Sequence, residues 1–555
     1  MNQVSYISLG GVGDVTRNMH LYEYNNEILI VDCGIGFADD SVPGVDVMIP
    51  DVSYLKKVTS ANGSEQKKIV GMILSHGHED HIGAVPFVLP FLPEFPIFAS
   101  PLTAAFTNAK LKDFGQKPKV RSTGFDEKIK LGSFNIELAR VTHSVVDTAN
   151  IFIKTPVGNF YHGSDFKFDF TPVDGKPSEI RKIARWGDEG VLCTLSDSLG
   201  SERRGHSESE MKISESFDEE FRNAKGKVFV TTYSSNISRM NQAIDAAIKN
   251  NRKVCFIGRS FLKAKDTGTM LKYMNFPPKI EIKAHEIKRY NPSNVMILIA
   301  GSQAQVDSGL SRVARDQDRD IRIVKGDTVI FSADPIPGNE VNINHLIDTL
   351  SQREARVVYS DLSSDFHVSG HGSENDLKLL ISLTNPKFVL PIGGTYRHMV
   401  AYRDIARSMG YSDDKIVFAN DSREIIFTQN EARLGRKIET STTYVDQITN
   451  ETVDKFVVLD RKKISEEGVV IVLSELNSQT GQLASKPDII TKGFVLPNKE
   501  AIASKLSLEV EKIFSSRKEK VTNWMYFRKT IQKKTEELLF REKREPLVIS
   551  VVVEV

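Results

Sequence analysis

Residues 75–84 read SHGHEDHIGA, a stretch that concentrates imidazole and carboxyl groups. Three histidines, one glutamate and one aspartate lie between His76 and His81, whereas the whole chain has only 12 histidines. The residues just before, IVGMIL at 69–74, form an apolar run that predicts a buried strand. The chain must therefore fold so that a buried strand ends directly in a cluster of polar side chains.

Four side chains of this cluster have the chemistry of metal ligands. His76 and His78 are two residues apart, so they point the same way from an extended segment. Asp80 and His81 follow where Gly83 marks a turn into another element. Neutral imidazole and carboxylate groups at one point suit zinc, manganese or iron. The alternative is a polar turn with surface histidines, which gives no reason for this spacing.

Composition excludes several classes of protein. Lys+Arg 73 against Asp+Glu 72 gives a net charge of +1, so any nucleic-acid site must be a local groove. The length of 555 residues predicts about three to four domains. Cys33, Cys193 and Cys255 are scattered, which indicates a reducing compartment and a cytoplasmic location. We expect neither a signal peptide nor a membrane span, because no apolar run approaches ~18 residues.

The order of strand and helix patterns indicates an α/β protein. The first 31 residues are β-rich, and Asn25-Asn26 predicts a hairpin turn. From about Lys225, apolar strand patterns alternate with helical ones, which predicts a mostly parallel sheet. Ligands bind at the edge of such a sheet where loops follow the strands. After a polar stretch, residues 456–555 predict a small α+β unit with two helices before the last strand, LVISVVVEV.

A site for two metals needs more ligands than the first cluster supplies. His143 follows an apolar segment, and Asp165 lies at another strand exit, two residues after Gly163. A carboxylate between two cations can bridge them, and such a pair can generate hydroxide and promote displacement at phosphorus. Taken singly, His143 fits equally a semi-buried structural histidine, and Asp165 fits equally a turn aspartate.

The ordered set of motifs resembles a known family. The pattern HxHxDH, a lone histidine and a strand-exit aspartate resemble the metallo-β-lactamase superfamily. Further stretches occur in the order of the ribonuclease J family, in the β-CASP branch of that superfamily: HGSDFKFDFTPV, CTLSDS, YSSNISR, GRS, GSQ, PIPGN, HVSGHG and KPDIITKGFV. The resemblance extends from about residue 5 to the end of the chain. It implies an αββα sandwich with metals at the sheet edge.

The same resemblance implies how the domains are arranged. The expected domains are a metallo-β-lactamase domain in two parts, at residues 1–207 and 362–430, an α/β β-CASP domain inserted at 208–361, a linker at 431–455 and a C-terminal α+β domain at 456–555.

Residue roles are also implied by the resemblance. The expected metal ligands are His76, His78, Asp80, His81, His143 and Asp165. Asp197 matches the proton donor of the family and His371 its proton acceptor, although the residues alone leave the direction of proton flow open. Phosphodiester cleavage needs both, because an alkoxide leaves and water is deprotonated. The alternative for Asp197 is a helix N-cap, which is less favoured.

A second group of residues is expected to bind the substrate. HVSGH forms the pocket for the nucleotide next to the cut, with His367, Val368, Ser369, Gly370 and His371. Ser234, Ser235 and Asn236 lie between a predicted strand and a predicted helix, where helix N–H groups could hold a terminal phosphate. These three residues fit equally well as ordinary caps.

One departure from the family bears on activity. A histidine is usual where PIGGTYRHM has Gly393, and glycine offers no side-chain ligand, so one metal loses a protein donor. The leading function is a metal-dependent ribonuclease with 5′→3′ exonuclease and endonuclease activity in RNA maturation and decay. The alternative is a weakened paralogue that acts mainly as an RNA-binding or scaffolding subunit. A small-molecule hydrolase is a third possibility, disfavoured by the long insertion.

The resemblance also implies cofactors and partners. We expect two divalent ions, Zn²⁺ or Mn²⁺, with the second site weakened by Gly393. The expected partners are RNA and either further copies of the chain, as a dimer or tetramer, or a paralogue. No membrane partner is expected.

Overall fold

The computed structural model describes most of the chain. The described residues are 2–38, 42–45, 47–60, 66–336, 338–359, 366–419, 422–446, 449, 451–495, 498–515 and 524–555. They divide into two compact units, Met1–Gly36 with Ile49–Thr442 and Phe37–Met48 with Thr443–Val555.

Two mixed sheets build the larger part of the first unit. The first sheet has the order β21 (Ala432–Lys437), β20 (Arg423–Phe427), β1 (Val4–Gly10), β2 (Met19–Tyr24), β3 (Glu27–Val31), β6 (Lys68–Leu74), β7 (Ile97–Ala99) and β8 (Val120–Ser122). The second has the order β19 (Phe388–Ile392), β13 (Cys193–Asp197), β12 (Asn159–Gly163), β11 (Ala149–Lys154), β10 (Phe134–Arg140) and β9 (Lys128–Leu131).

The two sheets pack face to face across an apolar core. Tyr6, Leu29 and Val31 from the first sheet share this core with Ile136 and Ile151 from the second. Strand side chains alternate between faces, so the other face of each sheet needs a second cover. Helices α5 (Ile180–Asp188), α11 (Glu374–Thr384) and α12 (Tyr396–Ser408) bury the outer face of the second sheet, and α4 (Pro101–Asp113) contacts β7 and β8. The result is the αββα layering predicted from the motifs.

A parallel sheet with helices on both faces lies between β13 and α11 in the chain. Its order is β15 (Lys253–Ile257), β16 (Val295–Ile299), β14 (Val228–Thr231), β17 (Thr328–Phe331) and β18 (Arg356–Val358). The helices are α6 (Lys212–Asn223), α7 (Ile237–Lys249), α8 (Arg259–Met270), α9 (Gly309–Ala314) and α10 (Glu340–Gln352). Separate apolar clusters cover the two faces, so its strands are apolar almost throughout. The alternation predicted from about Lys225 onward is confirmed.

The second unit contains two small sheets. One has the order β23 (Thr452–Val453), β22 (Thr443–Val445), β5 (Val47–Ile49) and β4 (Gly36–Phe37). The other has the order β25 (Asp488–Lys492), β24 (Val469–Leu476) and β26 (Leu547–Glu554). Helices α13 (Lys455–Glu467), α14 (Lys499–Ser515) and α15 (Trp524–Arg541) complete the unit, and α14 and α15 pack on β24 through apolar side chains.

Short elements surround the first cluster of the sequence. Helix α1 (Ser53–Thr59) precedes β6, and α2 (Glu79–Ile82) and α3 (Val85–Val88) follow it. The strand predicted from IVGMIL is confirmed, since β6 ends at Leu74, two residues before His76. The hairpin at Asn25-Asn26 is also confirmed, because Tyr24 pairs with Glu27 and Asn25 has a φ of 51°.

The stretch expected to be a linker differs from that expectation. Strand β21 pairs with β20 at the edge of the first sheet, and β22 and β23 belong to the small sheet of the second unit. A polar sequence can form such strands, because an edge strand leaves most of its side chains in water, as β21 does. Among the helices of the described residues, none has the length and apolar character that a bilayer crossing requires.

Candidate metal centre

The candidate ligands lie where strands of both sheets end. His76 and His78 follow β6, and Asp80 and His81 belong to α2. His143 follows β10, and Asp165 follows β12 by two residues. Strands β10, β12, β13 and β19 run the same way, so their carboxyl ends meet at one edge of the sheet. The topology therefore brings together side chains that lie up to 89 positions apart in the sequence (76 to 165).

A first group of ligand atoms faces a common point. His76, His78, His143 and Asp165 each direct one nitrogen or oxygen to within 4.8 Å of the others. Nδ1 of His78 is 3.1 Å from Nε2 of His76 and 3.1 Å from Nε2 of His143. Three nitrogens bound to one tetrahedral zinc at about 2.0 Å would be about 3.3 Å apart. Their observed separation fits a shared cation.

Hydrogen bonds on the far side of each ring set the tautomer. Nδ1–H of His143 donates to the carbonyl oxygen of Gly370 at 2.8 Å. The Ser75 hydroxyl donates to Asp32 at 2.7 Å, so it can accept from Nδ1–H of His76 at 3.1 Å. Both rings thus present the lone pair of Nε2 to the centre, as metal-bound histidines do. Lone pairs that face one another repel unless a cation lies between them, so these donors fit a divalent metal.

Asp165 connects the first group to a second one. Its Oδ2 is 3.7 Å from Nε2 of His76 and 3.7 Å from Nε2 of His143. Its Oδ1 is 3.4 Å from Nε2 of His81, and that nitrogen is 3.5 Å from Oδ2 of Asp80. Asp80, His81 and Asp165 form the second group. The two oxygens of one carboxylate therefore face different ligand sets, which is the geometry of a bridging ligand.

Burial favours the neutral form of three histidines. It lowers the pKa of His76 and of His78 well below the usual value, and the charges of neighbouring histidines add to the effect. Burial likewise lowers the pKa of His143 to about 4. A metal ligand must be unprotonated, so protons compete weakly for these nitrogens at neutral pH.

In the second group, neighbouring carboxylates affect the histidine pKa more strongly than burial does. Burial opposes the charge of His81, but the carboxylates of Asp165, Asp80 and Asp32 raise the pKa of His81 well above its usual value. Burial raises the pKa of Asp80 to about 6. Protonated His81 therefore balances the charge of the buried carboxylates. A metal ion bound to this ring would replace the proton and supply the positive charge instead.

The residues expected to transfer protons lie beside Asp165. Asp197 is the last residue of β13, and its Oδ2 accepts a hydrogen bond of 2.8 Å from Nδ1–H of His371. Nε2 of His371 is 3.9 Å from Oδ2 of Asp165. Burial lowers the pKa of His371, but the charges of Asp197 and Asp165 outweigh it and raise the pKa to about 9, against a smaller opposing effect of Arg203.

The HVSGH segment reaches the centre through its backbone. Gly370 accepts the hydrogen bond of His143, and a Cβ atom there would lie 2.7 Å from that ring, so only glycine fits. The Ser369 hydroxyl accepts from N–H of His371 at 3.1 Å. Nε2 of His367 is 3.0 Å from Asp334, whereas the side chain of Val368 is buried in the apolar core.

The YSSN segment lies between β14 and α7. The side chain of Asn236 accepts from N–H of Arg239 at 2.9 Å and caps α7, which is the structural role that the sequence left open. Ser234 and Ser235 are half-buried. The buried guanidinium of Arg239 donates to the carbonyl oxygen of Phe366 at 3.0 Å, so it ties α7 to the HVSGH segment.

Gly393 follows β19 and faces the same centre. Its φ is 63°, in the left-handed region that favours glycine. A Cβ atom built there would lie 3.5 Å from Oδ1 of Asp197 and 3.9 Å from Oδ1 of Asp165, at ordinary contact distances. His398 does not replace the missing ligand among the described residues, because its Nδ1 accepts from N–H of Thr395 at the start of α12.

Asp32 is the functional residue that sequence reasoning missed. Its Oδ2 accepts from Nδ1–H of His81 at 2.7 Å, and its Oδ1 accepts from N–H of Ser75 at 2.7 Å. It thereby directs Nε2 of His81 toward Asp165. Its position at a strand exit was the only sequence signal, because Asp32 directly follows the apolar strand EILIV, and Asp165 follows β12 by two residues.

Family models and one solved structure match this chain. Family models match as Ribonuclease J, beta-CASP domain at residues 225–350, Ribonuclease J C-terminal domain at 456–555 and Metallo-beta-lactamase superfamily at 12–135. The fold class predicted from the motifs is thus confirmed. A solved structure of a protein of unknown function from Enterococcus faecalis V583 shares the fold, with a TM-score of 0.55 and 13% identity over 77% of this chain and 100% of that one.

Curated relatives match along nearly the full length. Ribonuclease J of Thermus thermophilus is 33% identical and covers 100% of this chain and 96% of its own. Ribonuclease J 1 of Streptococcus pyogenes is 34% identical, over 89% of this chain and 87% of its own. Ribonuclease J2 of Bacillus subtilis is 31% identical, over 100% of this chain and 99% of its own. By its motifs, its layered fold and these matches, the chain belongs to the ribonuclease J family.

Proposed function

We propose that this chain is a metal-dependent ribonuclease that hydrolyses phosphodiester bonds of RNA, from the 5′ end toward the 3′ end and internally. The observation that carries the proposal is the position of Asp165, whose two oxygens face different sets of ligand atoms. A bridging carboxylate of this kind suits two divalent ions, for which Zn²⁺ and Mn²⁺ are the candidates. Bound there, such ions lower the pKa of water and offset the charge of a phosphodiester.

The proposed metal ligands divide between the two groups. His76, His78 and His143 would hold the first ion, Asp80 and His81 would hold the second, and Asp165 would be shared. The first ion would have four protein donors and the second three, so the second would be held more weakly.

Asp197 and His371 are proposed to move the proton of the reaction. Nδ1–H of His371 is bound to Asp197, so the ring exchanges protons through Nε2, the atom that faces Asp165. Asp197 keeps the ring in this orientation and stabilises its charged form. The pair can thus take a proton from attacking water or give one to the departing 3′ oxygen.

The terminal nucleotide is proposed to bind along HVSGH. His367, Ser369 and the Gly370 backbone lie within four positions of His371, and Val368 packs the segment against the core. The half-buried hydroxyls of Ser234 and Ser235 suit a terminal phosphate, and Asn236 holds the start of α7 behind them. A compact monophosphate fits such donors better than a triphosphate does.

Gly393 favours a second candidate function. Without a side-chain ligand beside Asp165 and Asp197, a weakly held second ion would leave the chain mainly an RNA-binding or scaffolding subunit. It would then act in a complex with an active paralogue, whereas the leading proposal allows a dimer or tetramer of the chain itself.

Purified protein incubated with 5′-labelled RNA and a series of Mn²⁺ or Zn²⁺ concentrations separates these functions. The leading proposal expects metal-dependent shortening from the 5′ end, faster on monophosphorylated than on triphosphorylated RNA, and loss of cleavage in Asp165→Asn. The scaffolding function expects RNA binding without cleavage at any metal concentration. Neither binding nor cleavage would reject both.

A further inference from the structure

The loop at residues 200–207 is held tightly beside the proton-transfer pair. N–H groups of Glu374 and Asn375, at the start of α11, donate to the carbonyl oxygens of Arg203 and Gly205, each at 2.9 Å. The Ser207 hydroxyl donates to the carbonyl oxygen of His371 at 2.9 Å. The loop therefore caps α11 and has a fixed position relative to His371.

The other side of the loop contacts the start of α12. The Ser201 hydroxyl donates to the carbonyl oxygen of His398 at 2.7 Å. A Cβ atom at Gly200 would lie 2.0 Å from the carbonyl oxygen of Gly372, so the loop approaches the HVSGH side as closely as a backbone can. The loop is thus wedged between two helix starts that both border the candidate centre.

Two exposed arginines project from this fixed loop. Arg203 and Arg204 are exposed, and within the described part of the chain neither forms an ion pair or a side-chain hydrogen bond. The carbonyl oxygen of Arg203 accepts from N–H of Glu374, three residues after His371, so the backbone of Arg203 lies close to the end of the HVSGH segment. Because the backbone of this loop is already fixed, it loses little further conformational entropy when the two adjacent guanidinium groups bind an anion.

An exposed aromatic ring lies at the same border. Tyr396 begins α12, three residues after Gly393, and its side chain is 60% exposed. One edge of the ring is held by Phe418 in an edge-to-face contact with centroids 5.2 Å apart. The ring is therefore oriented by the protein and still offers a surface to solvent, as stacking platforms for bases do.

We propose that Arg203, Arg204 and Tyr396 form a binding surface, here called the arginine rim, for the single-stranded RNA that extends beyond the nucleotide at the metal centre. The arginines bind backbone phosphates, and the ring stacks on a base. This inference rests on the proposed ribonuclease function. A single strand fits because the chain has a net charge of only +1, so a strand must be held by a local cationic surface such as this one.

Binding of a labelled, unstructured 20-nucleotide RNA to the full chain in EDTA tests the rim, because no cleavage interferes. We expect Arg203→Ala with Arg204→Ala to weaken binding at least tenfold. The dependence of log K on log salt should become shallower by ~1.4, since each single-strand phosphate contact contributes about 0.7. Arg203→Lys with Arg204→Lys should retain most of the salt dependence, because the charges remain.

Arg319→Ala with Arg322→Ala is the matched control. Both arginines are exposed and precede β17, at the sheet edge opposite to the one where its strands end. Tyr396→Leu should weaken binding several-fold, whereas Tyr396→Phe should not. An equal loss in the control pair, or no loss in the rim pair, would overturn the inference.

Cleavage of the same RNA by the wild-type chain with metal separates the two proposals. If wild type cleaves and the rim variants bind and cleave as it does, the arginine rim is wrong and the ribonuclease function stands. If wild type binds RNA through the rim but never cleaves it, the rim stands and the hydrolytic function fails.

Discussion

Gly393→His offers a direct test of how the second metal is held. The Cβ atom would meet Asp197 and Asp165 only at 3.5 Å and 3.9 Å, so the site has room for a side chain. An imidazole there would add a nitrogen donor beside the Asp80, His81 and Asp165 group, which has three protein donors. We expect the second ion to bind at least tenfold more tightly, which corresponds to about 1.4 kcal/mol.

The backbone sets the cost of this substitution. A non-glycine residue at a φ of 63° costs about 1 kcal/mol of folding free energy. Gly393→Ala carries the same cost without a ligand atom, so it is the matched control. Urea unfolding of both metal-free variants should show the same loss of stability within a few tenths of a kcal/mol.

Metal affinity is then compared between the two variants. Competition titration with a chromogenic chelator gives the affinity of each ion, and elemental analysis of dialysed protein gives the stoichiometry. Wild type and Gly393→Ala should retain fewer than two ions per chain, and Gly393→His should retain more. Equal affinities in the histidine and alanine variants, with both proteins folded, would refute the reasoning that a missing donor at this position limits the site.

Three further predictions address single contributions. His76→Ala with His78→Ala should abolish metal binding in the first group and RNA cleavage while circular dichroism stays unchanged; retained cleavage after confirmed metal loss would contradict it. Asp32→Asn should weaken metal binding about 10–100-fold, because His81 loses the carboxylate that orients it, and a titration equal to wild type would exclude that role. Burial lowers the pKa of His20 from 6.5 to about 3. Between these pH values the unfolded chain binds a proton at His20 and the folded chain does not, so the free energy of unfolding decreases as the pH falls from 6.5 toward 3. His20→Gln should reduce the slope of unfolding free energy against pH by up to ~1.4 kcal/mol per pH unit near pH 5; identical slopes would contradict the assignment.

Strand exits in the sequence were a reliable guide to the centre. The apolar run before His76 is long enough to be a strand, and the polar residues after it could only lie at its end. The same reasoning reached Asp165 but not Asp32, because a single aspartate after a strand is common and has no marker of its own. Asp32 became recognisable only when His81, 49 positions later, was found against it at 2.7 Å.

At Asn236 and Gly393 the structure supplied information that residue type alone could not give. Asn236 was open to both a capping and a phosphate-binding role, and its bond to N–H of Arg239 assigns the side chain to the cap. Gly393 was open to any backbone conformation, and its φ of 63° identifies the strain that a replacement must bear. Neither fact follows from residue type, because both depend on how the chain turns at those positions.

The sequence by itself determined the family, the fold class and the parallel sheet, and it predicted the candidate ligands and the strands that precede them. These depend on side-chain chemistry and on hydrophobic periodicity, which act over a few residues. Tertiary structure alone decided that Asp165 faces two groups of candidate ligands, that Asp32 orients His81 and that the loop of Arg203 caps α11 beside the HVSGH segment. These contacts join residues that are far apart in the chain. They form only when separate strands and helices pack together at one edge of the sheets, so the spacing of residues in the sequence cannot predict them.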